Sequence, residues 1–253
     1  MTVVLKLGGS VVTEKDEPET VDRAALDAAA SAVADAAVGN DIVVVHGGGS
    51  FGHHHAAEYG VSTTSGTRDP AGVRAVHGAM CRLNDAVVDA LAERGVPAVP
   101  VHPFSAAARD ADGVLSLPTE QVETLLGEGF VPVLHGDLVA HAGEGATVLS
   151  GDELVVELAP AVDADRVGVC STVPGVLDED GDVIDRIESF EAVASALGGS
   201  DATDVSGGMA GKVRSLLSLS SEAVVFGPDA LGPFLAGERP GTTIDGGDAE
   251  VNQ

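Results

Sequence analysis

The chain has 253 residues, 40 acidic against 13 basic, and a formal charge of -27 that disfavours nucleic acid and anionic membrane as partners, since no Lys/Arg cluster offsets it. Its 44% hydrophobic residues are enough for a sizeable core, which excludes a disordered chain, while Cys81 and Cys170 are too few for a disulfide scaffold and fit a reducing cytosol. The opening MTVVLKLGGS lacks the basic start and long apolar stretch of a secretion signal, and no run nears the ~18 apolar residues of a membrane span, so a cytoplasmic protein is expected. Strands are predicted at 3–7, 42–45, 98–101, 131–134, 167–170 and 223–226, where β-branched and aliphatic residues cluster. Between them, helices are predicted over the Ala-rich 21–38, over 70–93 and from Ser150 as cap through 158, with another over 209–220 behind Gly207 and Gly208. The helix at 70–93 has Asp69 as cap, Pro70 at its first position and Gly95 as its stop. Its Val73, Val76, Met80, Leu83, Val87 and Leu91 fall three or four apart, an apolar stripe for a sheet. Residues 138–149 read as a hairpin around Gly143, Glu144 and Gly145, and the acidic tail after Ile244 reads as frayed. Strands alternating with helices predict an α/β fold, a three-layer αβα sandwich with a mostly parallel central sheet.

So large a negative charge favours a habitat in which salt screens self-repulsion. Against that background the chain has only three lysines, Lys6, Lys15 and Lys212, each in or just after a glycine-rich or strand-to-turn segment of the kind that can hold a phosphate. Lys6-Leu7-Gly8-Gly9-Ser10 follows the first strand, and glycines there let backbone N–H groups approach an anion. His46-Gly47-Gly48-Gly49-Ser50-Phe51-Gly52-His53 is a second such turn at the end of the second strand, the edge where open α/β sheets bind ligands. A plain connecting turn is the weaker reading, because three glycines in a row cost about 1 kcal/mol each against alanine in regular structure. Neither cluster matches the P-loop or the dinucleotide fingerprint. The run His53-His54-His55 invites a metal reading, but adjacent helical residues point about 100° apart, so His54 and His55 are expected as solvated helix positions and no metal ligands are assigned. His46 ends a strand and is expected to be structural. His77, His102, His135 and His141 have no ligand spacing and are expected at the surface or in packing.

The paired glycine turns resemble the amino acid kinase family, and HGGGSFGH at 46–53 resembles its isopentenyl phosphate kinases in particular. The likeness runs along nearly the whole chain in order: Ser10 to Lys15, Phe130 to Val133 with Gly136-Asp137, Ser150-Gly151-Asp152-Glu153, and Asp204-Val205-Ser206-Gly207-Gly208-Met209 with Gly211-Lys212. The resemblance implies one amino acid kinase domain, with residues 1–160 as acceptor lobe, 161–247 as nucleotide lobe and 248–253 as a disordered tail. It implies transfer of the γ-phosphoryl of ATP, with Mg²⁺, to isopentenyl phosphate, in an alternative mevalonate route to isoprenoids. It further implies a homodimer. By the same resemblance Lys6 bridges the two phosphates, Lys212 holds the ATP phosphates, Lys15 stabilises the transition state, Asp152 orients the lysines and His53 donates to the acceptor phosphate. Gly48 and Gly151 fall on the acceptor, and Gly8, Gly9, Ser10, Gly49, Thr172 and Gly208 on the nucleotide. An apolar pocket for the isoprenoid tail is expected after His53 and along 73–83. One turn departs from the pattern: Ser171-Thr172-Val173-Pro174-Gly175 stands where the family commonly has a TDVDG-like turn, which leaves nucleotide preference open. A phosphonate kinase of the same family and a non-catalytic nucleotide sensor on the same fold remain as alternatives.

Overall fold

A computed structural model of the chain describes residues 1–197 and 208–247. The predicted turn Asp204 to Gly207 and the tail 248–253 lie outside the described residues. From the N-terminus, β1 (Thr2–Leu7) leads through the short α1 (Gly9–Val12) to α2 (Arg23–Ala37), β2 (Asp41–His46), α3 (Gly49–Glu58) and α4 (Pro70–Ala92). There follow β3 (Ala98–Pro100), β4 (Ala108–Arg109), β5 (Leu115–Ser116), α5 (Glu120–Gly127), β6 (Val131–His135), β7 (Asp137–His141) and β8 (Gly145–Leu149). The last third carries α6 (Gly151–Ala161), β9 (Arg166–Cys170), β10 (Arg186–Ile187), α7 (Ala194–Leu197), α8 (Gly208–Leu216), β11 (Ala223–Phe226), α9 (Leu231–Leu235) and β12 (Thr242–Ile244).

The main sheet has the order β10-β12-β11-β9-β1-β2-β6-β3 and is parallel throughout except between β11 and β12. Both of its faces are dry, and the strand alternation sorts the side chains between them. Val4, Val43, Val45, Val167, Val169 and Val225 pack toward α6 and α8, while Val3, Leu5, Ile42, Val44, Val224 and Phe226 pack toward α2, α4 and α9. This is the predicted αβα sandwich. On β1, Lys6 shares the face of Val4 by the two-residue period, so its side chain is delivered toward α6. The chain leaves β1 for β2 on one side and pairs with β9 on the other, which makes the carboxyl end of β1 the point where strand order reverses.

Caps set the helix limits. Asp22 accepts from the Ala25 N–H at 2.9 Å and starts α2 two residues later than predicted, and Asp69 accepts from Ala71 N–H at 2.9 Å ahead of Pro70 in α4. Ser150 and Glu153 form a reciprocal capping box that opens α6. Helix α8 stops at Leu216, four residues short of the prediction, where Ser218 Oγ donates to Ser215 O at 2.7 Å and draws the backbone into a turn. The tail expectation is corrected at its start: Asp245 N–H donates to Ile187 O at 2.9 Å and its carboxylate pairs with Arg186, so the chain just past β12 is fastened rather than frayed. The predicted hairpin is β7–β8, and it belongs to a second sheet, β5-β4-β7-β8, that the sequence pattern did not reveal. Strands of two residues each, β4 and β5, are too short for any periodicity.

Candidate active site

A pocket of about 200 Å³ opens where the carboxyl ends of β1 and β2 meet the starts of α3, α6 and α8. Lys6, Gly8, Gly9, Ser10, Gly48, His53, Gly151, Asp152, Thr172, Gly208 and Lys212 all line it. Eleven positions predicted from scattered segments therefore converge on one cavity.

Glycine is required where the two turns meet. A Cβ on Gly9 would lie 2.0 Å from the Gly49 nitrogen, and one on Gly47 would lie 2.6 Å from the Gly9 nitrogen, so the turns touch backbone to backbone. Gly49 does not itself line the pocket, and its φ of +47° and its contact with Gly9 make it the hinge between the turns. Thr13 stitches the same junction, donating to Gly9 O at 2.9 Å and accepting from Ser50 N–H at 3.1 Å.

At the pocket floor Lys6 Nζ lies 2.7 Å from Asp152 Oδ1, and Lys212 Nζ lies 3.4 Å from both oxygens of the same carboxylate. Gly151 makes room for this, since a Cβ there would sit 2.9 Å from Lys6 Cε. Burial drives the Lys6 ammonium down to about 8, with Asp152 opposing the shift and Lys212 adding to it. Burial also pushes Asp152 up, but the two lysines outweigh it and hold the carboxyl at about 2. The result is two cations on one anion, a net positive site in a region of negative protein. Lys15 is not brought to this cluster: it lies exposed in the turn after Thr13 and does not line the pocket.

His53 enters from α3 on the opposite wall. Beside it the lining turns apolar, with Ala56, Val76, Met80, Val148 and Leu149, drawn from α3, α4 and β8. Gly52 lets α3 approach α4 here, because a Cβ would stand 2.8 Å from Met80 Sδ. The pocket thus has a cationic floor and an apolar side wall, joined at His53.

His77, His102 and His135 lie in packing, as expected, but not apart: His102 pairs with His135, His77 pairs with Asp137, and Cys81 Sγ stands between them, 3.5 Å from His77 Nε2 and 3.9 Å from His102 Nδ1. Asp137 is a pocket residue the sequence reading did not place in the site. His77 Nδ1–H donates to Asp137 Oδ2 at 2.7 Å, and His135 donates from Nδ1 to Gly136 O at 3.0 Å while its Nε2 accepts from His102 Nδ1–H at 2.9 Å. Burial pushes Asp137 up despite His77, and the hydrogen bond to Asp137 raises His77. His135 is driven well below its usual range by burial, and His46, buried and within 3.1 Å of Asn84 Oδ1, falls to about 4; His46 is structural, as expected. One histidine expectation is corrected, that of His55. It is no solvated position, because its Nε2 lies 2.7 Å from Glu19 Oε1, and Arg82 holds the other oxygen of that carboxylate at 2.6 Å. The signal that could have found Asp137 was its place in Gly136-Asp137, directly after a buried strand.

The chain is similar to known proteins along most of its length. The model of the amino acid kinase family matches residues 1–225. The isopentenyl phosphate kinase of Haloferax volcanii is 69% identical over 96% of this chain and 98% of its own length, and that of Methanothermobacter thermautotrophicus is 34% identical over 88% of each. Among solved structures, an isopentenyl phosphate kinase superposes with a TM-score of 0.83 at 30% identity, covering 96% of this chain and all of its own. A carbamate kinase from Giardia, at 16% identity and a TM-score of 0.63, shares the fold alone.

Proposed function

Because the chain belongs to the amino acid kinase family, we propose that it transfers the γ-phosphoryl group of ATP to isopentenyl phosphate, giving isopentenyl diphosphate for isoprenoid synthesis by an alternative mevalonate route. The observation that carries the reading is the junction at His53, with the Lys6–Asp152–Lys212 cluster on one side and the apolar wall of Ala56, Val76 and Met80 on the other. A phosphate joined to a short hydrocarbon tail matches that junction.

The acceptor is an anionic nucleophile already, so no general base is needed, and catalysis rests on positioning and on neutralising the equatorial oxygens. Lys6, nearest the centre, bridges the donor and acceptor phosphates, and Lys212 on α8 holds the ATP phosphates. Asp152 orients both ammonium groups. Backbone N–H groups at Gly8, Gly9, Ser10 and Gly48 face the anion, with Thr172 and Gly208 on the nucleotide side and Gly151 under the acceptor. His53 donates to the acceptor phosphate. Lys15 stabilises the transition state from the turn after α1, provided that turn closes on the loaded pocket. The two carboxylates among the described lining residues are engaged, Asp152 by lysines and Asp137 by His77, so the residues fit Mg²⁺ that arrives coordinated by the nucleotide phosphates and water rather than by a protein cage. That ion supplies charge neutralisation at the phosphate oxygens.

Residues 1–160 form the acceptor lobe and 161–247 the nucleotide lobe of the proposed division, supported by the split of pocket residues between the two. No described helix is long and apolar enough to cross a membrane. Cytoplasmic placement and a homodimer complete the proposal, the latter checked by light scattering. The experiment that tests the function is coupled ADP release in molar KCl with Mg-ATP and isopentenyl phosphate, wild type beside His53→Ala. Fast turnover that collapses in the variant supports the reading. ADP release only with a phosphonate acceptor sinks the assigned substrate, and ATP binding without turnover on any acceptor makes the protein a sensor.

A further inference from the structure

On the face of α3 turned away from the pocket, His54, His55 and Glu58 bring one ligand atom each to within 4.8 Å of one another. They occupy positions i, i+1 and i+4, so Glu58 lies one turn beyond both histidines and closes the gap that adjacent residues alone would leave. Neighbouring groups fix the orientation of His55. Its Nε2 faces Glu19 Oε1 at 2.7 Å, and Glu19 is itself held by the Arg82 guanidinium, with Nε at 3.0 Å and Nη2 at 2.6 Å from the other oxygen. A carboxylate so engaged accepts from an N–H, which turns His55 Nε2 toward Glu19 and leaves Nδ1 on the side of Glu58, 3.4 Å from its Oε2. A hydrogen or a metal ion can bridge that pair.

From the convergence of these three ligand atoms we infer a site for a divalent transition-metal ion, Zn²⁺, Co²⁺ or Ni²⁺, bound by His54, His55 Nδ1 and Glu58, with Glu19 as the carboxylate behind the histidine and water in the open positions. Two imidazoles and one carboxylate suit such ions rather than Mg²⁺ or Ca²⁺, which take oxygen. Ligating histidines characteristically pass their second N–H to a carboxylate, the arrangement that Glu19 and Arg82 provide. The site is distinct from the phosphate pocket, although His53 precedes it on the same helix and Glu19 lies in the segment after Lys15. An ion there fastens that segment to α3.

The test is a titration of chelator-stripped protein with Co²⁺ in excess Mg²⁺, following the visible d–d bands, for wild type, His54→Ala, Glu58→Gln, Glu19→Ala and Cys81→Ser. Expected are one ion per chain in wild type and Cys81→Ser, at least a tenfold loss of affinity in His54→Ala and Glu58→Gln, and a loss of roughly 10–100-fold in Glu19→Ala. Mg-ATP turnover of His54→Ala stays at the wild-type rate. The inference is overturned by no saturable binding, which leaves a hydrogen as the bridge between His55 and Glu58. It is equally overturned by binding that survives both ligand variants, or that disappears in Cys81→Ser and so belongs to the His77–Cys81–His102 cluster. None of these readings depends on the identity of the phosphate acceptor.

Discussion

Two buried carboxylates face the same pocket and are treated in opposite ways. Asp152 sits between two ammonium groups and is held ionised at about 2, whereas Asp137, with a fully buried side chain, meets His77 and the Leu138 N–H but no ammonium or guanidinium, and is pushed up by burial. Attraction to two cations overrides desolvation in the first case, and one imidazole does not in the second. The pocket floor therefore carries a fixed charge centre, and the lining residue Asp137 is half of a titratable pair whose other half, His77, does not line the pocket. Permanent charge suits the transferred phosphoryl, which requires the same field in every turnover.

The comparison breaks most visibly at Asp152. Asp152→Ala leaves two buried lysines without their anion, and the expected result is a fall in kcat of about 10²- to 10³-fold together with a stability loss of about 3–5 kcal/mol in urea melts. Lys15→Met separates chemistry from stability: the exposed side chain contributes no burial, so turnover falls at least tenfold while the urea midpoint is unchanged. The pH profile sharpens the contrast further. Lys6 loses its proton above about 8 in the free enzyme, so kcat/KM declines on the alkaline side there. Asp152, depressed from 3.8 to about 2, contributes stability that is present above pH 3.8 and lost as pH falls through about 2. Asp137→Asn removes the partner that raises His77, and an NMR titration should show that histidine moving back toward 6.5. The smallest effect is expected on the apolar wall: Met80→Ala shifts preference among acceptor tails by about 1–3 kcal/mol per methylene, read as a ratio of kcat/KM values.

The parts of the molecule that repeat a local pattern were legible in the sequence. Six core strands, the capped helix behind Asp69-Pro70 and the Ser150 capping box all announce themselves within a few residues. So did the floor of the site, because its lysines are rare and lie beside glycine turns. What escaped depends on the third dimension. His77 and Asp137 are 60 residues apart, and no spacing rule links them. The Glu19–His55 contact joins residues 36 apart, across a segment whose fold follows from the close approach of Gly9 to Gly49. Gly49 shows in the sequence only as one of three glycines, and its positive φ and lack of space at the backbone junction follow from the fold. Lys15 carried a chemical motif, yet the motif does not specify where an exposed turn rests.

The account's central claim is that Lys6 and Lys212 act through Asp152 as one unit on one phosphoryl group. A double-mutant cycle on kcat tests it most directly, with Lys6→Met, Lys212→Met and the pair assayed on Mg-ATP and isopentenyl phosphate. Strong non-additivity is predicted, the double variant losing little more than either single one. Losses that multiply would show two independent cations and contradict the claim.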